Sequence, residues 1–196
     1  MTSPILIVPG YHGSGEGHWQ TWLEGELRFC HRVSGIDWER PQVHLWAQEI
    51  RREVLASREP LVIVAHSFGC LATSVALEGL SDKVAGVIFV APADPERFTI
   101  TGPRLNEAAN LPSIAQYLPD TPLEVAGLLI ASQNDPWMKC QHAYAWAKRW
   151  GFEFFNAGMV GHVNVESGHG EWPLILKIVN AMRDAVRGAD SRLLAA

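Results

Sequence analysis

Four apolar runs constrain this chain more than any other feature: Ile5–Val8 (ILIV), Leu61–Ala65 (LVIVA), Val84–Val90 (VAGVIFV) and Val125–Ala131 (VAGLLIA). A strand with one wet face alternates apolar and polar residues. A strand apolar throughout is buried on both faces, as in a parallel sheet covered by helices on each side. Between these runs lie stretches with a helical period. His18 to Phe29 carries Trp19, Trp22, Leu23 and Leu27 at helical spacing. Gln42 to Ser57 sets Val43, Trp46, Ala47, Ile50 and Val54 on one face, with Arg51, Arg52 and Glu53 mostly off it. Further helices are expected from Phe68 to about Leu80, from Trp137 to Trp150, and from Trp172 to Val186, where Pro173 suits a first turn. Weaker strands are expected near Arg32–Ile36 and at Phe152–Phe155. Alternation of this kind predicts an α/β fold, a three-layer α/β/α sandwich on a mostly parallel sheet.

The chain has 196 residues, which suits one domain over 1–187 with a frayed tail at 188–196. Apolar residues make up 47% and charged residues 19%, a globular balance, and the net charge of -5 argues against a nucleic-acid partner. No apolar run approaches the ~20 residues of a membrane span. Met1-Thr2-Ser3-Pro4 enters the first strand without a basic segment or a long apolar one, so no secretory signal is expected. Cys30, Cys70 and Cys140 are odd in number and far apart, which points to a reducing cytoplasm rather than a disulfide framework. None of their spacings suits zinc, and no metal or organic cofactor is expected.

Ligands of such sheets bind beyond the carboxyl ends of the strands. At the end of LVIVA comes "AHSFG", which matches Gly-x-Ser-x-Gly with Ala65 in the first position. A turn this tight tolerates only small residues two before and two after the serine, and it lifts the Ser67 hydroxyl clear at a helix N-terminus. The plain alternative is a serine that caps the helix. A nucleophilic serine needs a base, and the base needs an orienting acid. On an elbow of this type the chain order is serine, acid, histidine. Asp135 lies just beyond VAGLLIA in "ASQNDPWMKC", although an Asp-Pro pair also starts turns and helices. His162, in "NAGMVGHVN", comes first after the last short strand and is flanked by Gly161. His169, in "SGHGEWP", is its rival, while His66 is fixed beside the serine and His142 falls mid-helix.

An oxyanion hole needs two backbone N–H donors. Phe68 follows the nucleophile and supplies one. The glycine-rich loop "PGYHGSGEGHW" supplies the other, with Tyr11 the first choice and His12 the fallback. A phosphate cradle fits this loop poorly, because no Gly-Lys-Ser/Thr follows. Trp19, Trp137 and Trp172 fall near strand-end loops, where each is either pocket wall or core, and His12 joins them as a candidate pocket residue. Phe98–Leu118 is interrupted by proline and reads as a small cap.

Taken together, "ILIVPGYHGSGEGHWQTWLE", "VIVAHSFGCLA", "ASQNDPW" and "GHVNVESGHGEWP" resemble the small serine hydrolases related to retinoblastoma-binding protein 9 and the bacterial YdeN proteins. The likeness spans most of the chain. It implies a minimal α/β-hydrolase fold and a Ser–Asp–His triad at Ser67, Asp135 and His162, and its Gly-His-x-Asn block favours His162 over His169. Ala65 departs from the strict elbow pattern but is small enough for the turn. The expected activity is hydrolysis of an ester or related acyl bond of a small-molecule substrate, with short acyl chains preferred. The alternatives are a peptidase, a thioesterase, or a protein-binding module with little turnover on the same scaffold.

Overall fold

The computed structural model describes residues 3–105 and 110–193. Its centre is a six-stranded sheet with neighbours in the order β2-β1-β3-β4-β7-β8. The strands are β1 (Ile5–Val8), β2 (Cys30–Arg32), β3 (Leu61–His66), β4 (Val84–Val90), β7 (Gly127–Ala131) and β8 (Glu153–Asn156). Every pairing in it is parallel. Two short strands, β5 (Phe98–Thr99) and β6 (Gly102–Pro103), form a separate antiparallel pair.

Among the described residues five helices cover the sheet: α1 (Trp19–Glu26), α2 (Val43–Ala56), α3 (Phe68–Ala76), α4 (Cys140–Trp150) and α5 (Pro173–Leu193). Two separate clusters of buried side chains show why the strands need no polar face. Leu6, Val8, Ile63, Ala65, Val87 and Phe89 pack on one side with Trp46, Ile50, Leu71, Ala143 and Trp150 of α2, α3 and α4. Ile5, Ile7, Val62, Val64, Ile88 and Val90 pack on the other with Trp19, Leu23, Ile175 and Val179 of α1 and α5. Alternate residues of each strand therefore enter opposite cores. That is the three-layer sandwich the continuous apolar runs require.

Helices α1, α2 and α4 begin and end near their expected limits, whereas α5 runs to Leu193, beyond Val186 and into the stretch expected to be a frayed tail. Gln42 and Ser57 are the caps of α2 rather than members of it. His18 caps α1, its ring nitrogen accepting the Gln20 N–H. The strand expected near Arg32–Ile36 lies earlier, at Cys30–Arg32, because β1 pairs Ile5 with Cys30 and Ile7 with Arg32. The segment Phe98–Leu118 holds little helix: its described residues form the β5–β6 pair and a 3-10 turn at Ile114–Tyr117. It packs beside the first core through Phe98, Ile114 and Leu118, and residues 106–109 of the expected cap lie outside the described residues. No described helix is long and apolar enough to cross a membrane.

The chain steps from β1 to β2 on one side and then to β3 on the other, so the winding direction reverses between β1 and β3. In an open α/β sheet the crevice above such a reversal is where ligands bind. Gln20, fully buried on α1, holds this point. Its Nε2 donates to the carbonyls of Val8 and Val64, each at 3.2 Å, and its Oε1 accepts the Ser14 hydroxyl at 2.6 Å.

Candidate active site

Ser67 sits between the last residue of β3 and the first of α3, with φ 53° and ψ -124°. This is costly backbone for a residue with a Cβ, of the order of 1–3 kcal/mol, and it survives only where the surroundings over-determine it. The surroundings here are explicit. The Ser67 N–H donates to the Val90 carbonyl at 3.1 Å, Ala65 pairs with Val8 and Phe89 in the sheet, and Phe68 is fully buried against Trp46 and Phe98. A Cβ on Gly69 would lie 2.7 Å from the Val8 carbonyl oxygen and closer still to that of Pro9. Glycine there lets α3 sit against the end of β1. The Ser67 side chain makes no capping hydrogen bond to α3, so the capping alternative does not describe it.

Its hydroxyl meets an imidazole instead. Ser67 Oγ lies 2.9 Å from His162 Nε2, and His162 Nδ1 lies 2.9 Å from both carboxylate oxygens of Asp135. The Asp135 and His162 side chains are only 2% and 7% exposed, so solvent screens the pair little. Asp135 Oδ1 also accepts the Trp137 N–H at 2.8 Å. The carboxylate thus fixes the imidazole with Nδ1–H toward itself and leaves Nε2 as an acceptor for the Ser67 proton. His169 lies outside this set. Its Nδ1 is 3.3 Å from the Ser167 carbonyl and its ring stands edge-on to Trp172. His142 lies on α4 near Asp94. Cys70, one turn along α3 from the serine, is fully buried and points its thiol at the Val90 carbonyl. Burial pushes that thiol well above its usual range.

A cleft of about 570 Å³ opens over Ser67. Its lining includes Tyr11, His12, His18, His66, Phe98, Trp137, His162 and the turn Asn164–Ser167. Of the tryptophans expected at a pocket, only Trp137 lines this cleft. Trp19 is fully buried in the second core, where its indole N–H donates to the Val163 carbonyl at 2.8 Å. Trp172 packs edge-on against Trp19. Trp19 is a core residue because α1 turns this face to the sheet, while Trp172, just before α5, is half-buried and packs against the same core. Phe98 is the one described residue of the Phe98–Leu118 segment that lines the cleft.

The loop after β1 places Tyr11 and His12 at the cleft mouth in a turn closed by Gly13 N–H to the Gly10 carbonyl. The His12 N–H is already donated to the Trp38 carbonyl at 3.0 Å, which removes the fallback oxyanion donor. The His12 side chain is exposed and pairs with Glu39 at 2.8 Å.

Two further histidines belong to this neighbourhood and were not legible as such. His18 and His66 are each 4% exposed, their rings 5.1 Å apart, with His66 5.0 Å from the His162 ring. Burial, and then the Arg32 cation, lower His18 to about 4. Burial, followed by the neighbouring His162 and His18, holds His66 well below the ordinary histidine value. Asn134 was missed as well: its Oδ1 accepts both the Ser132 hydroxyl and the Gly161 N–H at 2.8 Å, tying the acid loop to the histidine loop. Its signal was the polar run "SQND" directly after a buried strand.

Comparison with known proteins gives the family and the fold. The serine hydrolase family profile matches residues 5–181. A YdeN-like hydrolase from Pectobacterium atrosepticum is 31% identical with a TM-score of 0.82, covering 94% of this chain and 92% of its own. The ydeN product of B. subtilis (20% identity, TM-score 0.71, 92% and 98% covered) and the mouse alpha/beta hydrolase domain-containing protein 10 (17%, 0.68, 95% and 91%) share the fold. Among curated proteins no match is found. The chain belongs to the serine hydrolase family and has the α/β-hydrolase fold.

Proposed function

We propose that this protein is a carboxylesterase-like hydrolase that cleaves an ester of a small molecule through an acyl-enzyme at Ser67. The observation that carries the reading is the unbroken chain of contacts from Ser67 Oγ to His162 Nε2 and from His162 Nδ1 to Asp135, made by a serine in strained backbone at the end of a buried strand. His162 takes the Ser67 proton as the oxygen attacks the carbonyl carbon. Asp135 holds the imidazole tautomer and stabilises its cation. The N–H groups of Phe68, first residue of α3, and of Tyr11 receive the oxyanion, each worth about 3 kcal/mol in comparable sites. The proton on His162 then passes to the leaving alcohol. Water, deprotonated by the same imidazole, releases the acid. A reducing cytoplasm is part of this proposal, supported by the unpaired Cys30, Cys70 and Cys140.

Labelling by a fluorophosphonate probe tests the reading. An adduct is expected on the wild type and none on Ser67→Ala. His162→Ala should lose at least ~10³-fold in kcat on p-nitrophenyl acetate, while His169→Ala should lose little. Absence of a Ser67-dependent adduct would leave a binding role on a hydrolase scaffold in front. Thioester or amide substrates turning over faster than esters would move the assignment to a thioesterase or peptidase.

A further inference from the structure

The loop that carries His162 takes left-handed backbone on both sides of the histidine, which glycine adopts freely and valine does not. Gly161 has φ 63°, and Val163, a β-branched residue, has φ 52°. Left-handed backbone at a β-branched residue costs of the order of 1–3 kcal/mol and needs fixed partners to persist. Those partners are two buried ring N–H groups from other elements. His66 Nε2 lies 2.9 Å from the His162 carbonyl, and Trp19 Nε1 lies 2.8 Å from the Val163 carbonyl. The two rings meet edge-on at 5.9 Å. On the near side, Val160 N–H donates to Ser132 Oγ and Gly161 N–H to Asn134 Oδ1.

We infer that His66 and Trp19 are positioning residues that set the reach of the His162 imidazole to Ser67, His66 doing so from the residue next to the nucleophile. The inference rests on the hydrolase reading above. His66 and Ser67 share one peptide bond, so the distance between hydroxyl and base is referenced to a single point of the backbone at the end of β3. A carbonyl accepts only from a protonated nitrogen, so Nε2 of His66 carries its hydrogen. The ring is neutral, because burial and the neighbouring His162, His18 and His169 all disfavour its cation. Lysine or arginine at 66 would also donate. It would, however, place a permanent charge about 5 Å from an imidazole that must itself become cationic during catalysis. A neutral donor avoids that repulsion.

Three variants test this: His66→Leu removes the donor, His66→Gln supplies an amide N–H of similar reach, and Trp19→Phe removes the indole N–H while keeping an aromatic ring, though a smaller one. On p-nitrophenyl acetate, His66→Leu should lose ~30–100-fold in kcat with KM within about twofold, as expected for a misplaced catalytic group. The acid limb of its kcat/KM profile should move relative to the wild type. His66→Gln should recover to within about fivefold, and Trp19→Phe should lose ~5–20-fold. A second readout does not depend on turnover: the Nδ1–H proton of His162, held by Asp135, observed by NMR. It should be sharp in the wild type and His66→Gln, and lost to exchange in His66→Leu. An unchanged Nδ1–H resonance in His66→Leu overturns the inference even if the protein hydrolyses nothing. Wild-type kcat in that variant, with Ser67→Ala inactive, overturns it while leaving the hydrolase reading intact. Should His66→Leu fail to fold, Trp19→Phe against the wild type decides by the same two readouts.

Discussion

Ser67, His66 and His18 show how one small region imposes opposite demands on side chains of ordinary chemistry. Ser67 must be exposed to the cleft yet rigid, which its left-handed backbone and its bond to the Val90 carbonyl provide. His18 and His66 are held neutral beside His162, the base of the proposed mechanism. This neutrality has a measurable consequence. In the unfolded chain His18 protonates near its ordinary 6.5, and in the folded protein only at about 4, so between those values the unfolded state binds more protons. Stability is therefore undiminished above pH 6.5 and falls as pH drops through that window, by about 1.4 kcal/mol per unit for each such histidine. His66 adds in the same direction. Arg32, His162, His169 and His66 face His18, all cationic or able to become so, and the first three reinforce the sign. Urea midpoints should decline from pH 7 to pH 4.5 and decline less in His18→Asn, which keeps an α1 cap. Midpoints that stay level over that range would contradict the burial argument.

At the scale of elements, the elbow is the joint on which the site turns. Helix α3 can start directly at the serine only because Gly69 presents no Cβ to the Val8 and Pro9 carbonyls. These are backbone atoms of a central strand and cannot swing aside as the end of a flexible side chain would. Gly69→Ala should therefore cost ~1–3 kcal/mol by denaturant titration, the usual penalty for overpacking a tight site, and should depress activity as Ser67 shifts. Gly25 is the control: it lies within α1 with open space around its missing Cβ. Gly25→Ala should gain roughly 0.5–1 kcal/mol from helix propensity alone. Equal stability of the two alanine variants would mean that the close approach at Gly69 is not what holds the turn. The element pattern also shows where local reading works. The face of α2 carrying Val43, Trp46, Ala47, Ile50 and Val54 is buried as its period required. The β2 strand was misplaced because "CHR" has no apolar signature and is a strand only by pairing with β1.

For the whole molecule, the reversal of winding between β1 and β3 brings the Tyr11 loop and the Ser67 elbow together at one cleft. Its lining mixes Phe98, Trp137 and Val165 with His12, His18, Asn164 and Glu166. Burial of each methylene is worth about 0.8 kcal/mol only where apolar side chains surround it. In a series of p-nitrophenyl esters from acetate to palmitate, kcat/KM should be highest for acetate or butyrate. Faster turnover of palmitate would refute this.

The layer architecture was readable in advance, because runs such as ILIV and LVIVA are apolar at every position and only a sheet covered on both faces can bury them. Ser67, Asp135 and His162 were readable as candidates, because each follows a strand and such ends converge in this class of fold. Their convergence was not: the 2.9 Å contacts join residues separated by 27 and 95 positions, and no local pattern reports a distance across that span. Nor could the sequence alone place Trp19 in the core and Trp137 at the cleft, or turn His66 toward the His162 carbonyl. A side chain's partner depends on which elements the completed sheet brings together, whereas its element depends mostly on its near neighbours in the chain.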